Sequence, residues 1–129
     1  MHRPIWKDEP DDHDYPAAAS YLALLAEPDL VAALLRRLQR APIVQFKAKD
    51  ILRASGLNAL PSTNSHVARD VAKIKAGTPL SPVLLIGGDL RHAVPVQVAD
   101  GYHRLCASYL LDEDADVSCR IAALEGRER

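Results

Sequence analysis

The sequence predicts an α+β fold, a small mixed β-sheet with helices packed against it. Three observations carry that expectation. Short β-type runs, IVQF at 43–46, PVLLI at 82–86, VPVQV at 94–98 and VSCRIAAL from 117, are interleaved with helix-period segments rather than grouped. PVLLI is apolar without a break, the pattern of a strand covered on both faces, whereas VPVQV alternates and its Pro95 marks an edge or a bulge. With 129 residues, 48% apolar and 26% charged, the chain is long enough for one core without a disulfide or metal staple.

The elements follow in chain order. Residues 1–14 are polar, and Asp8, Glu9, Asp11, Asp12 and Asp14 crowd around His13, so a mobile or loosely docked acidic arm is expected. Carboxylates that close in an extended chain do not converge on one metal ion. Residues 15–42 read as a helical pair. Asp14 is a candidate N-cap, Pro16 suits a first turn, and AAASYLALLA follows. The second helix, 29–40, aligns Leu30, Val31, Leu34, Leu35 and Leu38 in one stripe, with Arg36, Arg37 and Arg40 off it. That stripe either packs on the main core or forms a homodimer or partner surface.

Residues 43–129 make one compact unit with that pair. After the strand at 43–46, a short helix over 47–55 ends at Gly56. A turn-rich LPSTN precedes a helix over 65–76, with Val67, Val71 and Ile74 inward and Gly77 as its stop. The strand at 82–86, the loop GGDLRH and the strand at 94–98 lead into a helix over 102–111. An acidic loop, 112–116, and a final strand with Val117, Cys119 and Ile121 on one face complete the order.

Composition narrows the function classes. A formal charge of -1 and a pI of about 6.5 disfavour a protein held to nucleic acid by a basic surface, so DNA is an unlikely main ligand. Two cysteines, Cys106 and Cys119, make neither a secreted disulfide framework nor a zinc pattern. The first residues lack the apolar segment of a signal peptide and no run of 18 apolar residues occurs, so a cytoplasmic protein without a membrane span is expected.

The densest chemical signal is ADGYHRLCASYLL, 99–111, directly after a strand. Asp100 is a candidate helix cap, and Gly101 permits a sharp turn and close approach of a ligand to the backbone. The first amides of the helix have no internal partner, its dipole is positive there, and His103 and Arg104 add donors. A phosphate or carboxylate suits such a position. Tyr102, Leu105, Cys106, Tyr109 and Leu110 form the apolar stripe of this helix. An ordinary capped helix start is the plainer account of the same residues.

These residues also carry a resemblance. The stretch from Ile43 to Ala122, with Leu80-Ser81-Pro82-Val83 before a strand and Asp100-Gly101-Tyr102-His103-Arg104 at the next strand-to-helix turn, resembles the ParB and sulfiredoxin superfamily. The resemblance implies nucleotide or phosphate binding at that turn, with Asp100, Gly101, Tyr102, His103 and Arg104 as the ligand-holding set. It departs from each branch. Sulfiredoxins have a cysteine where this chain has Tyr102, and Cys106, one turn further on, falls in the apolar stripe where a thiolate is disfavoured. Chromosome-partitioning ParB proteins have Gly-Glu-Arg-Arg and a DNA-reading domain. Free-serine kinases of the superfamily have Asp-Gly-His-His-Arg, which Asp100, Gly101, His103 and Arg104 match.

The resemblance further implies that Ser62, Thr63, Asn64, Ser65 and His66, before the third helix, approach the ligand. Ser65 is a candidate N-cap and His66 a candidate to face the Gly101 turn. Lys47, Lys49 and Asp50 would supply charge for a phosphate or Mg²⁺, although a solvated helix start accounts for them better. The sequence thus favours a domain binding a phosphate-bearing ligand, such as a nucleotide with Mg²⁺. His103 and His66 are its catalytic candidates, for phosphotransfer or nucleotide hydrolysis. A non-enzymatic interaction module that has kept the fold and lost the chemistry is the alternative.

Overall fold

The computed structural model describes residues 2–125; Met1 and residues 126–129, at the two ends of the expected units, lie outside them. Two helices come first, α1 (Asp14–Leu22) and α2 (Pro28–Arg40), followed by β1 (Val44–Lys47) and α3 (Ala48–Ser55). Then come α4 (Ser65–Lys75), β2 (Val83–Ile86), a 3₁₀ turn at Leu90–His92, β3 (Gln97–Asp100), α5 (Tyr102–Leu111) and β4 (Asp116–Ala122). The four strands form one mixed sheet in the order β1-β4-β2-β3, with β2 and β4 parallel and the other pairs antiparallel.

β2 explains why its sequence is apolar throughout. Side chains alternate across a strand. Leu84 and Ile86 therefore pack with Leu22, Val31, Leu34 and Leu38 of α1 and α2, while Val83 and Leu85 pack with Ile51, Leu52 and Leu105 of α3 and α5. Both faces of the sheet are thus covered by helices, and α4 adds an outer layer by burying Val67 and Ile74 against Cys106 and Ala107 of α5. Val31, Leu34 and Leu38 are buried, so this part of the α2 stripe belongs to the core and the expectation of a partner surface is corrected for it, whereas Leu30 is exposed and Leu35 half-buried. The other side of α2, with Arg36, Gln39 and Arg40, is exposed.

Several local expectations shift. The strand expected at 94–98 forms at 97–100. Val94 makes only an isolated bridge to Asp89, because Pro95 has no N–H to offer and Ala93 turns the chain at φ 55°. The stripe expected on α5 is too narrow. Leu105, Cys106, Ala107 and Ser108 are all buried, because sheet, α3 and α4 surround the helix, whereas Leu110 is exposed.

The N-terminal segment, expected as a mobile or loosely docked arm, is tied to the body. Trp6 bridges to Leu80: the Lys7 N–H donates to Leu80 O at 2.8 Å and the Leu80 N–H to Ile5 O at 2.7 Å. The Trp6 indole donates to Asp116 O, and the Asp11 amide donates to the Ser81 hydroxyl at 2.9 Å. Composition correctly says that this segment has little apolar area, but main-chain pairing with the stretch before β2 and one packed indole hold it.

Candidate functional site

The β3–α5 turn is built around Gly101. Its φ of 103° lies in the left-handed region, and a Cβ there would sit 2.8 Å from an Arg104 guanidinium nitrogen and 2.9 Å from Val83 Cγ2. Only glycine allows this approach. Gly101 itself is the N-cap residue and no side chain caps the helix, so Asp100 is not the cap it was expected to be. Leu105 N–H, bonded to Gly101 O at 2.9 Å, opens the helical ladder, leaving the amides of Tyr102, His103 and Arg104 free of it.

Asp100 has a different task. Arg104 Nη2 donates to Asp100 Oδ2 at 3.1 Å, and lies 3.4 Å from both Asp14 Oδ2 and Pro82 O. Asp14, expected to cap α1, is almost fully buried and accepts a hydrogen bond from the Ser81 hydroxyl, while the α1 N-cap is His13 without any side-chain cap. Burial, reinforced by the Asp14 carboxylate, pushes the Asp100 carboxyl up, against the opposing pull of Arg104. Arg104, expected in the ligand-holding set, is engaged by two carboxylates, and its Nε is buried without a partner among the described residues.

A depression of about 370 Å³ opens at the start of α5. Lys7, Asp11 and His13 line it from the N-terminal segment, Arg69, Asp70 and Lys73 from α4, Ser81 from the approach to β2, and Asp100, Gly101, His103 and Arg104 from the turn. His66 stands beside it, with its ring 4.8 Å from that of His103. His66 Nδ1 accepts from Arg69 at 3.0 Å, because a guanidinium can only donate. Burial, and then the neighbouring His66, pulls the His103 imidazole below its ordinary value. An imidazole whose neutral form is favoured, in a depression lined by both cations and carboxylates, can accept a proton.

The remaining candidates separate. Asn64, not Ser65, caps α4, its side chain accepting from His66 N and Val67 N, and Ser65 is exposed. Neither residue lines the depression, nor do Ser62 and Thr63. The Tyr102 hydroxyl donates to Asn58 O, so this side chain closes the loop after α3 and leaves only its backbone amide at the helix start. Lys49 pairs with Asp114 at 2.8 Å, and Lys47 and Asp50 line two other surface hollows. The charged start of α3 is thus remote from the Gly101 turn.

Burial pushes the Cys106 thiol up, and its sulfur accepts from Leu60 N–H at 3.4 Å; burial drives Cys119 up to about 12. Both are unreactive thiols. Asp11, His13 and Asp14 bring donor atoms within 4.8 Å of one another, contrary to the expectation that they would not converge, because the chain turns there with Asp14 N–H on Asp11 O. Lys7 and Arg104 already pair with the two carboxylates. No described helix is long and apolar enough to cross a membrane. Sequence reasoning missed Asp70, buried on α4 between Val67 and Ile74; a carboxylate at an apolar position of a helical stripe was the signal. No protein-family model, curated protein or solved structure matches the chain.

Proposed function

We propose that the chain binds a phosphate-bearing ligand at the start of α5, a nucleotide being the member of that class implied by the resemblance to ParB and sulfiredoxin-like proteins. The observation that carries this reading is the depression itself. The start of α5, where the His103 and Arg104 amides have no helical partner, lines one concave surface together with the His103 side chain and the cations Arg69 and Lys73. Arg104 acts from behind, fixing the turn through Asp100 and Asp14. His103, neutral near pH 7, is placed to take a proton from an attacking hydroxyl or water, and His66 backs its ring.

The test is thermal-shift titration with inorganic phosphate, pyrophosphate, CTP, ATP and GTP, each with and without Mg²⁺. Stabilisation is expected, about 2.7 kcal/mol at a hundredfold excess over the dissociation constant. It should weaken in Lys73→Ala and His103→Gln, both of which leave the core intact. An unchanged melting curve with every one of these ligands would overturn the reading.

The interaction-module alternative now rests on the α1–α2 corner rather than on Leu34 and Leu38. Leu24 and Leu25, at the α1–α2 corner, are 82% and 57% exposed beside a shallow groove floored by Ala19, Ala23 and Val31. Leu24→Ser with Leu25→Ser should abolish any self-association seen by sedimentation and leave ligand binding unaltered.

A further inference from the structure

The depression contains one group that an anion site leaves unused. Asp70 is 7% exposed, in the buried row of α4 between Val67 and Ile74, and it faces the depression beside Lys73 and His103. No described residue supplies its carboxylate with a hydrogen bond or an ion pair. The nearby cations are occupied elsewhere: Arg69 on His66, Arg104 on Asp14 and Asp100, and Lys7 on Asp11. Lys73, three residues on, is exposed and closes no bridge to it.

Buried carboxylates are almost always paired or hydrogen-bonded, and an apolar residue would complete this helical row more favourably. The buried side-chain atoms without a partner among the described residues are Arg104 Nε and Arg120 Nε, not the Asp70 oxygens, so this carboxylate opens on the depression, where a donor carried by a ligand can reach it. Polarity also fixes the orientation. A bare carboxylate repels a phosphate, so the phosphate must sit at the α5 amides and the donor must point towards α4.

We infer that Asp70 accepts a hydrogen bond from a hydroxyl or ammonium group of the ligand, which makes the ligand a phosphate monoester with a donor group close to the ester. This rests on the proposed phosphate site. Asp70 is then the specificity residue, and the α5 start binds the part common to all phosphates.

The experiment is calorimetric titration of the full chain with ethyl phosphate, glycerol 3-phosphate and phosphoethanolamine. The two donor-bearing esters should bind about tenfold or more tightly than ethyl phosphate. In Asp70→Leu that preference should vanish, ethyl phosphate should bind at least as well as before, and the ligand-free protein should melt higher. Asp70→Asn, which keeps the shape and removes the charge, should weaken the preference. A preference for phosphoethanolamine alone identifies the donor as an ammonium; a preference for both esters identifies a hydroxyl as sufficient. Equal binding of all three esters, or a preference that survives in Asp70→Leu, overturns the inference and leaves the phosphate site standing. A lower melting temperature for Asp70→Leu also overturns it, since the carboxylate would then be satisfied within the fold. Binding of none of the three removes the phosphate site and the inference together.

Discussion

His103 is the residue whose chemistry can be read most directly. Its pKa is depressed from the ordinary 6.5, so its neutral form is favoured in the folded chain. The stability it contributes is present above that ordinary value and is lost as pH falls through the depressed one. An anion at the α5 amides reverses the preference by stabilising the imidazolium. Sulfate, whose own charge is fixed over the range, should therefore bind more tightly as pH is lowered from about 7.5 to about 5.5, and His103→Gln should flatten that dependence. A slope kept in His103→Gln would show that His103 is not the group that takes up the proton. The Gly101 turn and the starts of α4 and α5 were legible in the sequence because a turn and a helix start are local patterns. Asp14 was not. A capping rule looks a few residues ahead, whereas the partners of Asp14 lie 67 and 90 residues away.

At the scale of elements, the sequence pattern located α2, α3, α4 and α5 to within a residue at their ends, but it carried α1 on to Ala26, four residues past its observed end at Leu22. Caps were harder, because two neighbouring polar residues obey the same rule. Asn64 and Ser65 are such a pair, and geometry selects Asn64. Asn64→Ala should cost about 0.5–2 kcal/mol in chemical denaturation and Ser65→Ala no more than about 0.5 kcal/mol. Equal losses would mean that the cap is shared. The third strand was misplaced by three residues at its start because alternation in VPVQV is satisfied by either setting. Only the pairing of Leu85 with Val98 and Ile86 with Gln97 decides between them.

For the whole molecule, the N-terminal segment is the part most changed from expectation, and Asp14 is where it is fastened. Asp14→Ala removes the acceptor of Ser81 and one of the two carboxylates on Arg104. It should lower stability by about 1–3 kcal/mol. Hydrogen exchange at the Lys7 and Asp11 amides should accelerate more than at β2; uniform acceleration would show that the segment does not detach separately. The order β1-β4-β2-β3 has a further consequence. β4, the last strand among the described residues, occupies an inner position, hydrogen-bonded to β1 on one side and β2 on the other. While a ribosome is making this chain, β1 and the β2–β3 hairpin have no shared edge, and each presents a raw flank until residues 116–122 emerge. Assembly of the sheet thus waits for β4, and a chain arrested before Asp116 leaves two open strands exposed to other nascent chains.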